Sequence, residues 1–310
     1  MKVIILSHID YAGSAYKMFQ AIKRHTDIDI NLFSGYPENK LNHPVNNYVN
    51  NSNRMGVQKL VDEADILHFK GDWPPVNGYL GLTIPDKPII LTTSGSFFRK
   101  KEHGGIGKYS TKDYSRVTLK TSFEPDLLYP EYSDIWTPHP INSDDKPIFW
   151  QKKERPLFLH MPSSPDRKGT EFVKKVFTIL KSRINCDTVI INGLTFQESL
   201  ALKKTATVYF DQFMVGFYGN SALEAMQWGI PVVNWISPMA IKQAKGKLKN
   251  CPVINEDQSD PEGTADRVIE ALKDGKELSR KTKIWCDKIH GYKTTAEVWS
   301  NLYNLLWQQS

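Results

Sequence analysis

The sequence predicts an α/β fold of two doubly wound domains facing one another across a cleft, and three observations carry that prediction. Short apolar runs alternate with helix-period segments from end to end, the pattern of βα units around parallel sheets. The pattern stops at Pro138-His139-Pro140 and the polar stretch Asn142–Lys146, then restarts, which marks an interdomain linker. The 310 residues suffice for two cores, since domains commonly run about 100–200 residues.

In the first half, strands are expected at Val3–Ser7, Ile28–Phe33, Asp65–Phe69, Ile89–Thr93 and Ile135–Thr137. Helices fit between several of them: Ser14–Arg24 carries Ala15, Met18, Phe19 and Ile22 at helical spacing, and Met55–Ala64 reads similarly. The second half begins with Leu157–His160, a helix over Gly169–Lys181 and a strand at Thr188–Ile191. Glu198–Lys204 and Val208–Phe210 follow, and Val232–Trp235 is the next buried strand. Three more helical stretches, Pro261–Lys273, Glu277–His290 and Thr295–Trp307, complete the chain. The last has Val298, Trp299, Leu302, Leu305, Leu306 and Trp307, enough apolar surface to pack on a neighbouring domain.

Composition narrows the function classes. Forty per cent apolar and 24 per cent charged content is that of an ordinary globular protein. No apolar run approaches the roughly 18 residues of a membrane span, and Val3–Leu6 is too short for a signal-peptide core. Three cysteines, Cys186, Cys251 and Cys286, without metal-like spacing, point to a reducing cytoplasm. The net charge of +6 is uneven: residues 146–310 hold 24 basic against 17 acidic side chains, which suits an anionic ligand such as a nucleotide. Within the first half, residues 97–120 hold seven basic side chains, Arg99 and Lys100 among them, against Glu102 and Asp113. Such a patch suits an anionic acceptor.

The most informative stretch is DQFMVGFYGNSALEAMQWGIP, residues 211–231. It joins a strand end at Asp211, a turn containing Gly216 and Gly219, and a helix that Ser221-Ala-Leu-Glu224 opens with capping-box spacing. The free amides of such a helix start favour a phosphate. Glu224 has two readings, a cap on its own helix or an acceptor of hydrogen bonds from ligand hydroxyls such as those of a ribose. Three further loops should reach the cleft, since open α/β sheets bind ligands beyond the C-terminal ends of their strands. The first, Ile9–Ala15, holds Asp10 and opens a helix at Gly13 and Ser14, without a GxGxxG fingerprint. The second, Thr92–Arg99, holds Ser94 and Ser96, whose serines read as loop caps when judged as nucleophiles. The third, His160–Thr170, places Arg167 and Lys168 before a helix start, a diphosphate clamp in outline. HExxH, CxxC, GxSxG and Walker motifs are missing, the scattered histidines read as structural, and no metal site is expected.

On these residues the chain resembles the GT-B glycosyltransferases, and within them glycosyltransferase family 4, which is retaining and uses nucleotide sugars. The likeness runs nearly the full length: DQ…GFYGN…ALEAM…GIPVV is its most specific part, and HMPSSPDRKGT is similar to the family's phosphate loop. ADILHF, PIILTTSGSFFR, EPDLL and PHPIN resemble the N-domain strands, the pre-linker helix and the linker. The resemblance implies an N-terminal acceptor domain over 1–145, a nucleotide-sugar domain over 146–292, and a helix at 293–310 crossing back onto the N-domain. It implies donor contacts from Gly13, Arg167, Lys168, Gly169, Thr170, Phe217, Tyr218, Gly219, Asn220, Ser221 and Glu224, with Glu224 on the ribose and Lys168 on the diphosphate. Acceptor contacts fall to His68, Lys70, Ser96, Arg99 and Lys100, and catalytic roles to Asp10, Ser94 and Asp211. Three positions depart from the pattern: Gly216 stands eight before Glu224 where the family has a glutamate, Ser94 where it often has histidine, and Ser163 where its phosphate loop has arginine.

The function implied is transfer of a sugar, from UDP in the first instance, to an acceptor hydroxyl on a glycan or lipid-linked saccharide. The nucleotide sugar is the co-substrate, and neither a metal nor another cofactor is required. Peripheral contact with anionic lipid head groups suits the basic loop. A hydroxymethylated DNA base is the alternative acceptor, motivated by small size and by the basic, aromatic-bearing 97–120 segment. A non-catalytic nucleotide-sugar binder and a nucleotide-sugar 2-epimerase are the readings from other classes.

Overall fold

The computed structural model describes residues 1–36, 47–71, 73–95, 114–129, 133–144, 146–148 and 150–309. The chain divides into two compact units, the first Met1–Pro140 with Gly291–Ser310, the second Ile141–His290.

In unit 1 the described strands are β1 (Lys2–Ile9), β2 (Asp29–Tyr36), β3 (Ile66–Lys70), β4 (Ile89–Thr93), β5 (Leu119–Ser122) and β6 (Ile135–Trp136). They pair in parallel in the order β2-β1-β3-β4-β5-β6. The chain leaves β1 toward β2 on one side and returns to place β3 on the other, so the sheet reverses winding between β1 and β3. Helices α1 (Ser14–His25) and α2 (Arg54–Glu63) link the first three strands. A strand buried on both faces needs a continuous apolar run, and β1 supplies one. Val3 and Ile5 pack with Met18 and Ile22 of α1, whereas Ile4 and Leu6 pack with Val57 and Val61 of α2.

The last helix of the chain, α10 (Tyr292–Trp307), belongs to unit 1 and lies against α1. Trp299, Tyr303 and Leu306 sink into the same core as Val3 and Met18. The buried stripe is rotated from the expected one: Leu305 and Trp307 remain 49% and 50% exposed, and Tyr303 takes the inner position.

Unit 2 holds β7 (Leu157–His160), β8 (Asp187–Ile190), β9 (Val208–Phe210), β10 (Val232–Asn234) and β11 (Ile254–Asn255), parallel in the order β11-β10-β9-β7-β8. The winding reverses between β7 and β9. The helices are α3 (Pro165–Lys168), α4 (Thr170–Arg183), α5 (Phe196–Lys203), α6 (Asn220–Met226), α7 (Pro238–Gln243), α8 (Pro261–Lys273) and α9 (Gly275–His290). Phe158, Val176, Phe177, Phe210 and Val268 form its core between sheet and helices.

Two strands and two short helices, α7 and the four-residue α3, escaped the sequence reading, for local reasons. Three of the four residues of Leu119-Lys-Thr-Ser are polar, but in the sheet Thr121 Oγ1 meets Thr92 Oγ1 at 2.8 Å, so its hydroxyl is satisfied inside the core. The strand β11 has only two residues, and α7 depends on Ser237, whose hydroxyl accepts the Ala240 amide at 3.1 Å. Cys186, Cys251 and Cys286 are free thiols. Among the described residues no helix is long and apolar enough to cross a membrane.

Candidate functional site

Doubly wound sheets bind ligands where the winding reverses. In unit 2 that point lies between the ends of β7 and β9, where the loop 160–170 and Asp211 emerge. His160 ends β7 and is fully buried. Its Nδ1 lies 2.9 Å from the Phe210 carbonyl and its Nε2 3.0 Å from Thr170 Oγ1. A carbonyl only accepts, so Nδ1 carries the proton and Nε2 accepts from the threonine hydroxyl. Burial lowers the His160 pKa to about 4. The neutral ring thus ties β7 to β9 and to the first residue of α4.

The turn before α4 is built around Gly169. Its φ of 72° is the left-handed conformation that glycine adopts without penalty, and an added Cβ would stand 3.0 Å from Phe213 Cβ. This turn separates α3 from α4 and presents Lys168. Lys168 Nζ donates to Asp211 Oδ1 at 2.7 Å, while Asp211 Oδ2 accepts the Gly219 amide at 2.9 Å. The Asp211 side chain has no exposed surface, and that of Lys168 keeps 13%. Lysine, aspartate and the start of α6 are therefore one connected group at the sheet's switch point. A Cβ on Gly219 would come 3.6 Å from Lys168 Nζ, so the backbone approaches the cation closely there.

The expected capping box at Ser221 and Glu224 is not formed. Gly219, in extended backbone, is the N-cap, which moves the helix start to Asn220 and puts Ser221 inside the first turn. Ser221 Oγ instead meets the Tyr209 hydroxyl at 2.6 Å, and Glu224 Oε2 accepts from Lys203 Nζ at 2.6 Å. Lys203 and Glu224 are both buried, 1% and 5% exposed. The capping box of this unit is Thr195 with Glu198 at the start of α5. Asn220 Oδ1 is buried without a hydrogen-bond partner.

Several expected contacts need correction. Phe217 and Tyr218 are fully buried, their rings 3.9 Å apart, and the Tyr218 hydroxyl meets His290 Nε2 at 2.8 Å, so their side chains serve the core of unit 2. The Phe217 carbonyl accepts from Gln212 Nε2. The Thr170 hydroxyl is committed to His160, which leaves its backbone amide as the group open to a ligand. Arg167 is exposed beside Lys168. Gly216 serves packing: a Cβ there would stand 2.7 Å from Ser237 Cβ.

Unit 1 gathers a different group at its own switch point. Asp10 Oδ1 accepts the Ala15 amide at 2.7 Å and Oδ2 the Tyr16 amide at 2.8 Å, so Asp10 holds the first turn of α1 rather than standing open as a catalytic carboxylate. Gly13, at φ 62°, is the N-cap of that helix. Lys70, at the end of β3, places Nζ 3.8 Å from Asp10 Oδ1 with its side chain 2% exposed, so the expected acceptor lysine is buried beside Asp10. His68, expected as an acceptor contact, is fully buried and bridges Tyr303 and Thr92 at 2.7 and 2.6 Å, and burial lowers its pKa to about 3. Ser94 follows β4 at the same edge and is half-buried. Ser96, Arg99 and Lys100 lie outside the described residues.

Sequence reading missed Glu124 and His139. Glu124 follows β5 and accepts from His139 Nε2 and the Gly95 amide, both at 3.3 Å. Burial, opposed by Glu124 and aided by Lys70 and the nearly buried Lys17, lowers the His139 pKa. The signal was in the sequence, since both residues end segments of the sheet, but only pairing across 15 positions gives them meaning. Among the described residues no group of three or more His, Cys, Asp or Glu is placed to hold a metal ion.

No protein-family model matches the chain, and no curated protein does. Solved structures do. An α-glucosyltransferase in complex with UDP and a 13-mer DNA containing an HMU base is similar over 99% of each chain, at 12% identity and a TM-score of 0.64. A sucrose-phosphate synthase from Thermosynechococcus elongatus is similar over 100% of each chain, at 12% identity and 0.63. HepE of Anabaena, in complex with UDP and glucose, is similar over 99% of this chain and 100% of its own, at 8% identity and 0.58. With its two parallel, doubly wound sheets and a last helix returned to the first unit, the chain has the GT-B fold.

Proposed function

We propose that the chain transfers a hexosyl or pentosyl group from a UDP-sugar to an acceptor hydroxyl, as a retaining enzyme related to glycosyltransferase family 4. The observation that carries this reading is the meeting of Lys168, Asp211 and the start of α6 at the switch point of unit 2, with the first turn of α4 directly following Lys168 and Gly169. A leaving diphosphate needs its developing charge balanced, and a cation beside free helix amides balances it without reorganisation. Lys168 has three protons and gives one to Asp211, so its ammonium is aimed and still able to donate. Asp211 is in this reading a positioning residue for Lys168, not the acid that touches the sugar. Arg167 adds charge, and Asn220 Oδ1 offers an unmet acceptor to a ligand hydroxyl. Glu224, oriented by Lys203, accepts from the ribose hydroxyls. These groups balance the leaving charge, so neither a metal nor a further cofactor is assigned.

The leading acceptor is a glycan or lipid-linked saccharide in the cytoplasm. A hydroxymethylated DNA base is the second reading, favoured by the full-length likeness to a glucosyltransferase bound to HMU-containing DNA. Incubation with UDP-, GDP- and ADP-sugars, with mass spectrometry of glycan and hydroxymethylated-DNA acceptors, tests both. Free UDP and a mass gain on one acceptor are expected. Interconversion of the donor would make the chain an epimerase, and donor binding with no product would make it a binder. Either result sinks the transferase reading.

A further inference from the structure

The C-terminal edge of β1 and β2 in unit 1 opens into a hollow of about 290 Å³, at the small end of ligand pockets. His8 of β1, Tyr36 at the end of β2, Trp73 after β3 and Arg54 at the start of α2 line it, together with the turn 78–81. The His8 and Trp73 rings stack with centroids 4.5 Å apart and planes 19° apart, and the Tyr36 ring tilts toward His8 at 5.2 Å. Tyr36 and Trp73 nevertheless stay 58% and 46% exposed, an unusual concentration of open aromatic surface.

The walls are built to hold this shape. Leu80 sits at φ 55°, a backbone conformation that a branched side chain adopts only against a steric penalty. Its Cδ2 occupies the space that a Cβ on Gly35 would need. Gly81, at φ 74°, leaves room for Arg54, whose Nε would stand 2.9 Å from a Cβ there. Two glycines and one strained leucine thus seat the aromatic wall and the guanidinium beside each other.

The chemistry of the lining selects the occupant. Flat aromatic faces take the C–H face of a pyranose, and a planar guanidinium donates to the hydroxyls on its rim. Among the described residues, Arg54 is the one Lys or Arg lining the hollow, and no Asp or Glu joins it. With one described cation in its lining, the hollow itself does not supply the many phosphate contacts on which binding of a polyanion draws. We propose that this hollow binds one ring of a neutral saccharide, with Trp73 and Tyr36 stacking on it and Arg54 bonding its hydroxyls. Assigning that ring to the acceptor glycan rests on the transferase reading; the binding itself does not.

The test titrates maltotriose, cellotriose and chitotriose into the full chain, followed by saturation-transfer NMR. One of the three is expected to bind. Trp73→Ala should weaken it at least about tenfold and Trp73→Phe by less than about threefold, with thermal midpoints unchanged. Arg54→Ala should also weaken it, and Trp307→Ala, at an exposed tryptophan that does not line the hollow, should not. Failure of all three saccharides to bind overturns the proposal, as does unchanged affinity in both Trp73→Ala and Arg54→Ala. Binding of a hydroxymethyluracil oligonucleotide that Trp73→Ala abolishes, with no saccharide competing, assigns the hollow to a base instead. UDP titrated into the wild type separates the two readings: saccharide without UDP binding sinks the donor site alone, and UDP without saccharide binding sinks this one alone.

Discussion

Replacing Lys168 by alanine tests the donor site through two independent quantities. Asp211 has no exposed side-chain surface and holds Lys168 Nζ at 2.7 Å, so the variant strands a buried carboxylate. Breaking a buried pair from one side costs about 3–5 kcal/mol. The low end applies, about 3 kcal/mol, because the Gly219 amide still bonds Asp211 Oδ2 and Lys168 is itself partly exposed. Unit 2 spans Ile141–His290, and for a unit of that size about 3 kcal/mol lowers the thermal midpoint by about 6–12 °C. Lys168→Ala combined with Asp211→Asn removes the stranded charge and should regain most of that loss. Activity should not return in the double variant, because the cation is gone; a drop of about 10²–10³ in kcat is expected, as for loss of one donor to a developing charge. Scanning calorimetry and coupled detection of UDP release read the two effects. A single variant that melts within about 1 °C of wild type refutes the buried pair. A double variant with more than about a tenth of wild-type turnover refutes Lys168 as the cation of the leaving diphosphate.

Lys203→Met should destabilise unit 2 by about 3–5 kcal/mol, since Glu224 loses its cation while buried, and adding Glu224→Gln should restore the midpoint but not UDP affinity. Recovery of both would show that Glu224 has no part in donor binding. Gly169→Ala should cost about 1–2 kcal/mol from its left-handed backbone, more from the 3.0 Å approach to Phe213, and should weaken UDP in a calorimetric titration. Normal UDP affinity would mean that the turn does not shape the site. His68 and His160 hold folded pKa values of about 3 and about 4, below the usual 6.5, so the fold keeps them neutral. The unfolded chain takes up protons below pH 6.5 and the folded chain does not, so their stabilisation is complete above that pH and is lost toward the folded values. Each should cost about 2 kcal/mol between pH 7 and pH 5. Urea unfolding at both pH values checks this, and stability flat across the window would contradict buried neutral rings.

Much of the fold was legible because strand burial on both faces leaves a continuous mark. Val3–Leu6, Ile89–Leu91 and Phe158–Leu159 are apolar whichever way each side chain points, and helix periods between such runs allow only βα winding. The placement of the loop 160–170 and Asp211 at strand ends was legible for a related reason, and the switch point of a doubly wound sheet is where ligands of such sheets lie. Partners that meet across the fold were not legible. The spacing of Ser221 and Glu224 is that of a capping box, yet Gly219 caps the helix two residues early and Lys203, 21 positions away, takes the glutamate. Asp10 and Lys70 looked like open polar residues until α1 and β3 brought them together, and His68 looked like an acceptor contact until α10, 235 positions on, closed over it with Tyr303. Local pattern determines which segments form strands and helices, because backbone hydrogen bonding and burial act on neighbouring residues. Whether a polar side chain is offered to a ligand or spent on the fold depends on the group that arrives opposite it, and only tertiary structure decides that.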